Sequence, residues 1–197
     1  MTQIATPTDV RTYWLETLKP KDWYIANDAV DADITQQFQE TWRLARDGGC
    51  QDWLDTPDDL LSYLILCDQF PRNMFRGSGD AFATDAASRD AIHLALSRGW
   101  DMKITEPARQ FIYMPLMHSE DLSDHDLAID MFATRMPETG ANNHDHCIAH
   151  RNIIAEFGRF PYRNAALGRE TTSAEQAFLD AGGYGFALRQ VQGAAAK

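Results

Sequence analysis

Valine is almost missing: Val10, Val30 and Val191 are the only ones in 197 residues, while Ala, Leu, Gln, Arg and Met are plentiful. No stretch of useful length alternates with a period of two, so little in the chain favours a sheet. Cysteine is scarce as well. Cys50, Cys67 and Cys147 are odd in number and widely spaced, which excludes a disulfide framework and points to a reducing compartment. The longest strongly apolar run, around Leu60 to Cys67, falls far short of the ~20 residues that span a bilayer. The opening Met1-Thr2-Gln3-Ile4 lacks the basic-then-apolar layout of a signal peptide. These absences lead to the expectation of a soluble, cytoplasmic protein without membrane association.

Positive charge is in deficit too. The net charge is −11, which argues against a nucleic-acid partner while leaving room for a local basic pocket. Gly77-Ser78-Gly79 lacks the lysine and the preceding strand of a phosphate loop. No Glu-x-x-His occurs, and His146 is followed by Cys147 where a zinc protease has glutamate. No metal and no cofactor are expected.

Helix punctuation is frequent. Thr6-Pro7 reads as an N-cap and first-turn proline opening a helix through Tyr13, Trp14 and Leu18, stopped by Pro20. Ile34, Phe38, Trp42 and Ala45 share one helical face, and Gly48-Gly49 ends that helix. Thr56-Pro57-Asp58-Asp59 caps a buried helix from Leu60 to Phe70, where Pro71 should turn the chain. Further helices are expected from Ala83 to Arg98, from Thr105-Glu106-Pro107 to a kink or end at Pro115, and from a Ser123 cap through Phe132. After a loop from Pro137 to Asn143, one more should carry Ile148 to Phe157 and stop at Gly158. Thr172 and Glu175 form a capping box for a short last helix ending at Gly182-Gly183. The pattern predicts an all-α fold of about eight helices in antiparallel pairs. It predicts one domain over residues 8–190 and a flexible C-terminal tail over 191–197.

One motif is written twice. Phe70-Pro71-Arg72-Asn73 is echoed by Phe160-Pro161-Tyr162-Arg163-Asn164, and each copy is followed by a glycine. Both copies are expected at equivalent helix exits. There Arg72, Asn73 and Arg76 would join Arg159, Arg163, Asn164 and Arg169 around a small anion, since guanidinium forks suit carboxylate and phosphate. The opposing reading pairs these arginines with nearby acids (Asp68, Asp85, Glu120, Asp121, Glu156) to tie helix ends together.

The segment from Cys67 to Gly77, the stretch Phe111 to Leu122, and the run from His150 through Asn164 to Glu175 together resemble the bacterial family called domain of unknown function 924. The resemblance runs from about Val10 to Leu188. It implies a compact helical domain similar to tetratricopeptide-like superhelices, and it implies no activity. Tyr162 stands where histidine is common in the family, and His125 where glutamine is common.

Two functional readings stay open. The first is a helical binding protein holding a small anionic ligand or a peptide through the Arg-Asn turns. The alternative is a small enzyme with His118 and Glu120, or His150, as acid and base and Arg72 and Arg163 as an anion clamp. Oligomeric state is not legible.

Overall fold

The computed structural model describes residues 4–195, and every regular element among them is helical. The chain forms two compact units, residues 1–115 and 116–197.

In the first unit, α1 (Pro7–Thr12) starts where the Thr6 hydroxyl accepts from the Asp9 N–H and Asp9 accepts from the Thr6 N–H. It runs on as a π turn, Tyr13–Thr17. The Asn27 side chain caps α2 (Asp28–Arg46), whose buried stripe is Ile34, Phe38, Trp42 and Ala45, the face expected from the spacing. Thr56 caps α3 (Pro57–Leu64), which continues through a second π turn, Ile65–Gln69, into α4 (Phe70–Met74). Then come α5 (Asp85–Ser97) and α6 (Gln110–Met117), whose last two residues belong to the second unit.

The rod from α3 to α4 corrects the expectation of a stop at Pro71. Phe70 is helical at φ −58° and ψ −37°, although a following proline disfavours that conformation. The π turn supplies the reason, because it already departs from regular α winding where proline must enter. Proline has no N–H, so in a regular helix the Cys67 carbonyl four residues back loses its partner. Here the Thr84 hydroxyl donates to that carbonyl at 2.5 Å and accepts from the Trp42 indole N–H at 3.2 Å. Phe70, buried completely, lies 4.7 Å from Phe38 and 5.6 Å from Trp14 between ring centroids. Burying such a ring contributes about 1.5–3 kcal/mol.

Other boundaries moved for local reasons. Residues 106–109 wind as turns with i to i+3 bonds such as Gln110 N–H to Pro107 O, so the helix begins at Gln110 and not near Pro107. It also passes through Pro115 to Met117.

The second unit holds α7 (Leu122–Arg135), α8 (Ala141–Phe157), α9 (Ser173–Asp180) and α10 (Gly183–Ala195). Asp121, not Ser123, caps α7 by accepting from the Ser123 N–H at 2.9 Å. α8 takes in Asn142 and Asn143 from the expected loop and ends at Gly158, whose φ of 68° suits glycine. The capping box at Thr172 forms as the sequence indicates. The chain does not finish at Gly182-Gly183. It turns there and α10 runs on, taking up residues 191–195 of the expected tail, whose residues 196–197 lie outside the described ones. α8 packs between α7 and α10, with Ile153, Ile154 and Phe160 at the core.

The Trp42–Thr84–Cys67 relay yields a test. Thr84→Val keeps the shape and removes the hydroxyl, leaving a buried carbonyl and a buried indole N–H without partners. Urea unfolding should show a loss of about 2–3 kcal/mol. A loss below about 0.5 kcal/mol would mean that neither group depends on Thr84.

Candidate functional site

The two Phe-Pro turns are built differently. Phe70 sits inside a rod, whereas Phe160 is extended at φ −89° and ψ 107°, with Pro161 opening a 3-10 turn, Pro161–Arg163. Gly158 has already ended α8 before the second copy, so the copies are not equivalent helix exits. What they share is a phenylalanine buried to 0% exposure.

In the first unit the arginines and asparagine meet carboxylates. Arg72 Nη2 donates to Asp85 at 2.8 Å and to Asp68 at 3.4 Å, and Nη1 donates to the Ala81 carbonyl. Asn73 donates to Asp31 at 2.8 Å, while Arg76 reaches both Asp31 oxygens at 2.5 and 2.9 Å. Burial pushes the Asp31 carboxyl up, but the hydrogen bonds from Arg76 and Asn73 outweigh it and hold the group below its ordinary range.

The second unit repeats the pattern with glutamates. Arg159 forks onto Glu175 at 2.6 and 2.9 Å, and Asn164 adds a bond of 3.3 Å. Arg159 and the Thr172 N–H hold the Glu175 carboxyl down at about 2. Arg169 forks onto Glu120 at 2.7 and 3.0 Å, and the Phe160 N–H donates to Glu120 at 2.9 Å. Burial acts to raise the Glu120 carboxyl, yet these donors leave it lowered. Glu120 is therefore a fixed anion that ties the 158–169 segment to the end of α6, and a poor proton donor.

Arg163 also bears on Glu120, whose carboxyl its charge helps to lower. Its Nη1 donates to the His118 carbonyl at 2.9 Å, and its guanidinium carbon lies 4.3 Å from the Phe160 ring centroid. It stands beside a histidine cluster on α7, α8 and the chain after α6. His150, 9% exposed, uses Nδ1–H to donate to the Met117 carbonyl at 2.9 Å. That bond fixes the tautomer and leaves Nε2 with its lone pair. His125, fully buried, donates from Nε2 to the Ser119 carbonyl at 2.8 Å, and its Nδ1 has no partner. The His150 ring is 6.4 Å from His118, 6.5 Å from His125, 5.2 Å from Phe160 and 4.7 Å from Tyr184. His146 Nδ1 hydrogen-bonds the Tyr184 hydroxyl.

Burial, reinforced by the Arg163 guanidinium and by the repulsion that protonated histidine neighbours would add, drives the His150 pKa well below its ordinary value. Burial likewise lowers those of His125 and His146. The imidazole of His150 is thus neutral, oriented, and set in a positive local field. Sequence reasoning found His118, His150 and Arg163. It missed the Met117 carbonyl and Tyr184, the latter because α10 itself was not expected, and it named His125 only as a departure from the family pattern. Among the described residues, no group of three or more His, Cys, Asp or Glu side chains is placed to hold a metal ion.

A bacterial family described as proteins of unknown function (DUF924) matches residues 10–183. The chain belongs to this family. A solved structure of a protein of unknown function from Agrobacterium tumefaciens is similar at 34% identity, with a TM-score of 0.81 over 88% of this chain and 96% of that one. No curated protein matches the chain.

The histidines set an acid limit on stability. In the unfolded chain they take up protons around 6.5, while His125 and His150 in the fold resist protonation. Their contribution is complete well above about pH 6.5 and falls as the pH drops, by at most about 1.4 kcal/mol per pH unit for each histidine. A second decline should follow below 4.5 as the unfolded state protonates a carboxylate that Glu175 keeps ionised to about 2. His125→Gln, which can keep a donor to Ser119 O, should flatten the first decline in urea unfolding between pH 7 and 5. An unchanged slope would show that His125 stays outside this titration.

Proposed function

We propose that the protein binds a small anionic ligand in its second unit, with His150 Nε2 accepting a hydrogen bond from the ligand and Arg163 supplying the positive field. The observation that carries this reading is the His150–Met117 bond. It holds a nearly buried imidazole in the tautomer that leaves Nε2 as the hydrogen-bond acceptor. The six other Arg and Asn side chains of the Phe-Pro turns are bonded to Asp31, Asp68, Asp85, Glu120 or Glu175 within their own units, which supports a structural role for them. A ligand combining a carboxylate or phosphate with a hydroxyl or N–H matches both His150 and Arg163. The same Nε2 is the atom that would take a proton if the bound molecule reacts, so the enzyme reading also runs through His150.

We place this function in the cytoplasm, without a nucleic-acid or membrane partner. Cys50, Cys67 and Cys147 are free, buried thiols, in keeping with a reducing compartment, and no helix among the described residues is long and apolar enough to cross a membrane.

Two measurements test the proposal. Diethyl pyrocarbonate modifies neutral imidazole, so at about pH 5.5 a histidine with a depressed pKa should react ahead of ordinary ones. Peptide mass spectrometry of the native protein should find the label on His150. Thermal melts with glycolate, lactate, malate and phosphate should show a raised midpoint for at least one of them. That rise should vanish in His150→Asn, which can keep the bond to Met117 O and removes the acceptor. A His150 labelled only after unfolding, with melts unmoved by all four anions, would leave the cluster as packing.

A further inference from the structure

A groove in the first unit has the opposite electrostatic character. It runs between the rod of α1 with its π turn and the first half of α2. Two cavities of ≈ 410 and ≈ 510 Å³ open along it, and both are bordered by Tyr13 and Thr17. Each is large enough for a small organic molecule. The winding of the π turn sets this wall of the groove, since Tyr13 and Thr17 are its first and last residues. Such turns recur at functional sites.

The two ends of the groove differ. One is lined by polar groups that include Asp9, Thr12 and Gln37, and the other by Leu18, Ala29 and Val30. Asp9 is occupied by its capping box with Thr6. Asp33 is different: it is exposed on α2, borders the apolar end, and accepts from Gln37 Nε2 at 2.8 Å. Tyr13 sits where the two cavities meet. Tyr13 is 7% exposed, and its ring packs 5.2 Å from that of Phe38. Burial first, then hydrogen bonding to Asp33 and the charge of Asp33 and Asp31, hold the Tyr13 phenol protonated far beyond its ordinary range. Tyr13 and Asp33 border the same cavity, which sets a phenol and a carboxylate on one wall of the groove. Among the described residues, no lysine, arginine or histidine lines either cavity.

We propose that this groove binds an amphipathic organic ammonium, a primary amine carrying a short alkyl chain. The ammonium meets the Asp33 carboxylate beside the Tyr13 and Thr17 hydroxyls, and the alkyl chain lies along Leu18, Ala29 and Val30. Charge complementarity selects the sign. Among the described residues the lining offers carboxylates and no cation, and the net charge of −11 draws cations toward the protein. The apolar end selects the chain, because a small hydrophilic cation would leave Leu18 and Val30 in contact with water.

The test uses the full-length protein with n-hexylamine, hexan-1-ol and hexanoate as probes, read by calorimetry and by ¹H–¹⁵N NMR. Hexylamine should bind saturably and shift amides of residues 12–18 and 29–37. Hexanol should bind more weakly and hexanoate not at all. Asp33→Asn, an exposed change, should leave the melt intact and weaken hexylamine about tenfold or more, roughly the loss of one ion pair. Hexanoate binding as well as hexylamine, an affinity indifferent to Asp33→Asn, or no saturable binding of the amine would each overturn the proposal. This site is independent of His150, so His150→Asn should leave amine binding unchanged.

Discussion

A backbone carbonyl that proline leaves without its helical donor organises the first unit. Pro71 enters the α3–α4 rod without an N–H, so Cys67 O needs a donor from elsewhere, and Thr84 provides one. Because the same hydroxyl accepts from Trp42, one hydrogen-bonded relay links the rod, the start of α5 and the buried stripe of α2. The rod therefore continues far enough to bring Phe70 against Tyr13, Trp14 and Phe38. Arg72 and Asn73, carried on the next turn, then reach Asp85 and Asp31. A charge network on the surface of this unit thus follows from how one buried carbonyl is satisfied.

The second unit meets the same requirement with side chains. After Gly158 the chain has little regular structure until α9, and its polar backbone must be satisfied one group at a time. Glu120 accepts the Phe160 N–H, Arg169 donates to the Phe160 carbonyl, and Arg159 donates to the Glu170 carbonyl. Glu175 closes its own capping box through the Thr172 N–H while holding Arg159 and Asn164. Each carboxylate bonds backbone and guanidinium together, which is why these arginines serve the loop. His125 and His150 use backbone carbonyls instead, and their bonds, to Ser119 and Met117, fall just where α6 ends and its last carbonyls lack helical partners.

The sequence carried the local part of this design. Thr6, Thr56 and Thr172 cap as their spacing indicates, because a cap is a contact over three residues. The stripe of α2 was legible for a similar reason: it depends only on helical period. Pro71 misled because the donor to Cys67 O, the Thr84 hydroxyl, lies 17 residues from that carbonyl in sequence. α10 went unseen because Gly182 and Gly183 read as an end, whereas their positive φ values of 110° and 53° make a turn between two helices. The candidate site was legible in composition and not in arrangement. His150 belongs to a recognisable run, but its tautomer depends on Met117, 33 residues distant, and its neutrality depends on burial. The likeness of the two Phe-Pro runs reflected a shared need to bury phenylalanine and did not extend to backbone geometry.

The chemistry of His150 bears on which role fits it. A general base works best with a pKa near the operating pH, and His150 lies well below that, with His118, His125 and Arg163 all opposing its protonation. Alone it is an acceptor and a weak base. An anion bound beside it would offset those positive charges and raise its pKa, so ligand binding and proton uptake at His150 favour each other. A ligand whose acidic hydrogen points at Nε2 would then find the imidazole more basic in the complex than in the free protein. On the proposed reading, binding comes first, and the capacity to move a proton follows only when an anion is in place.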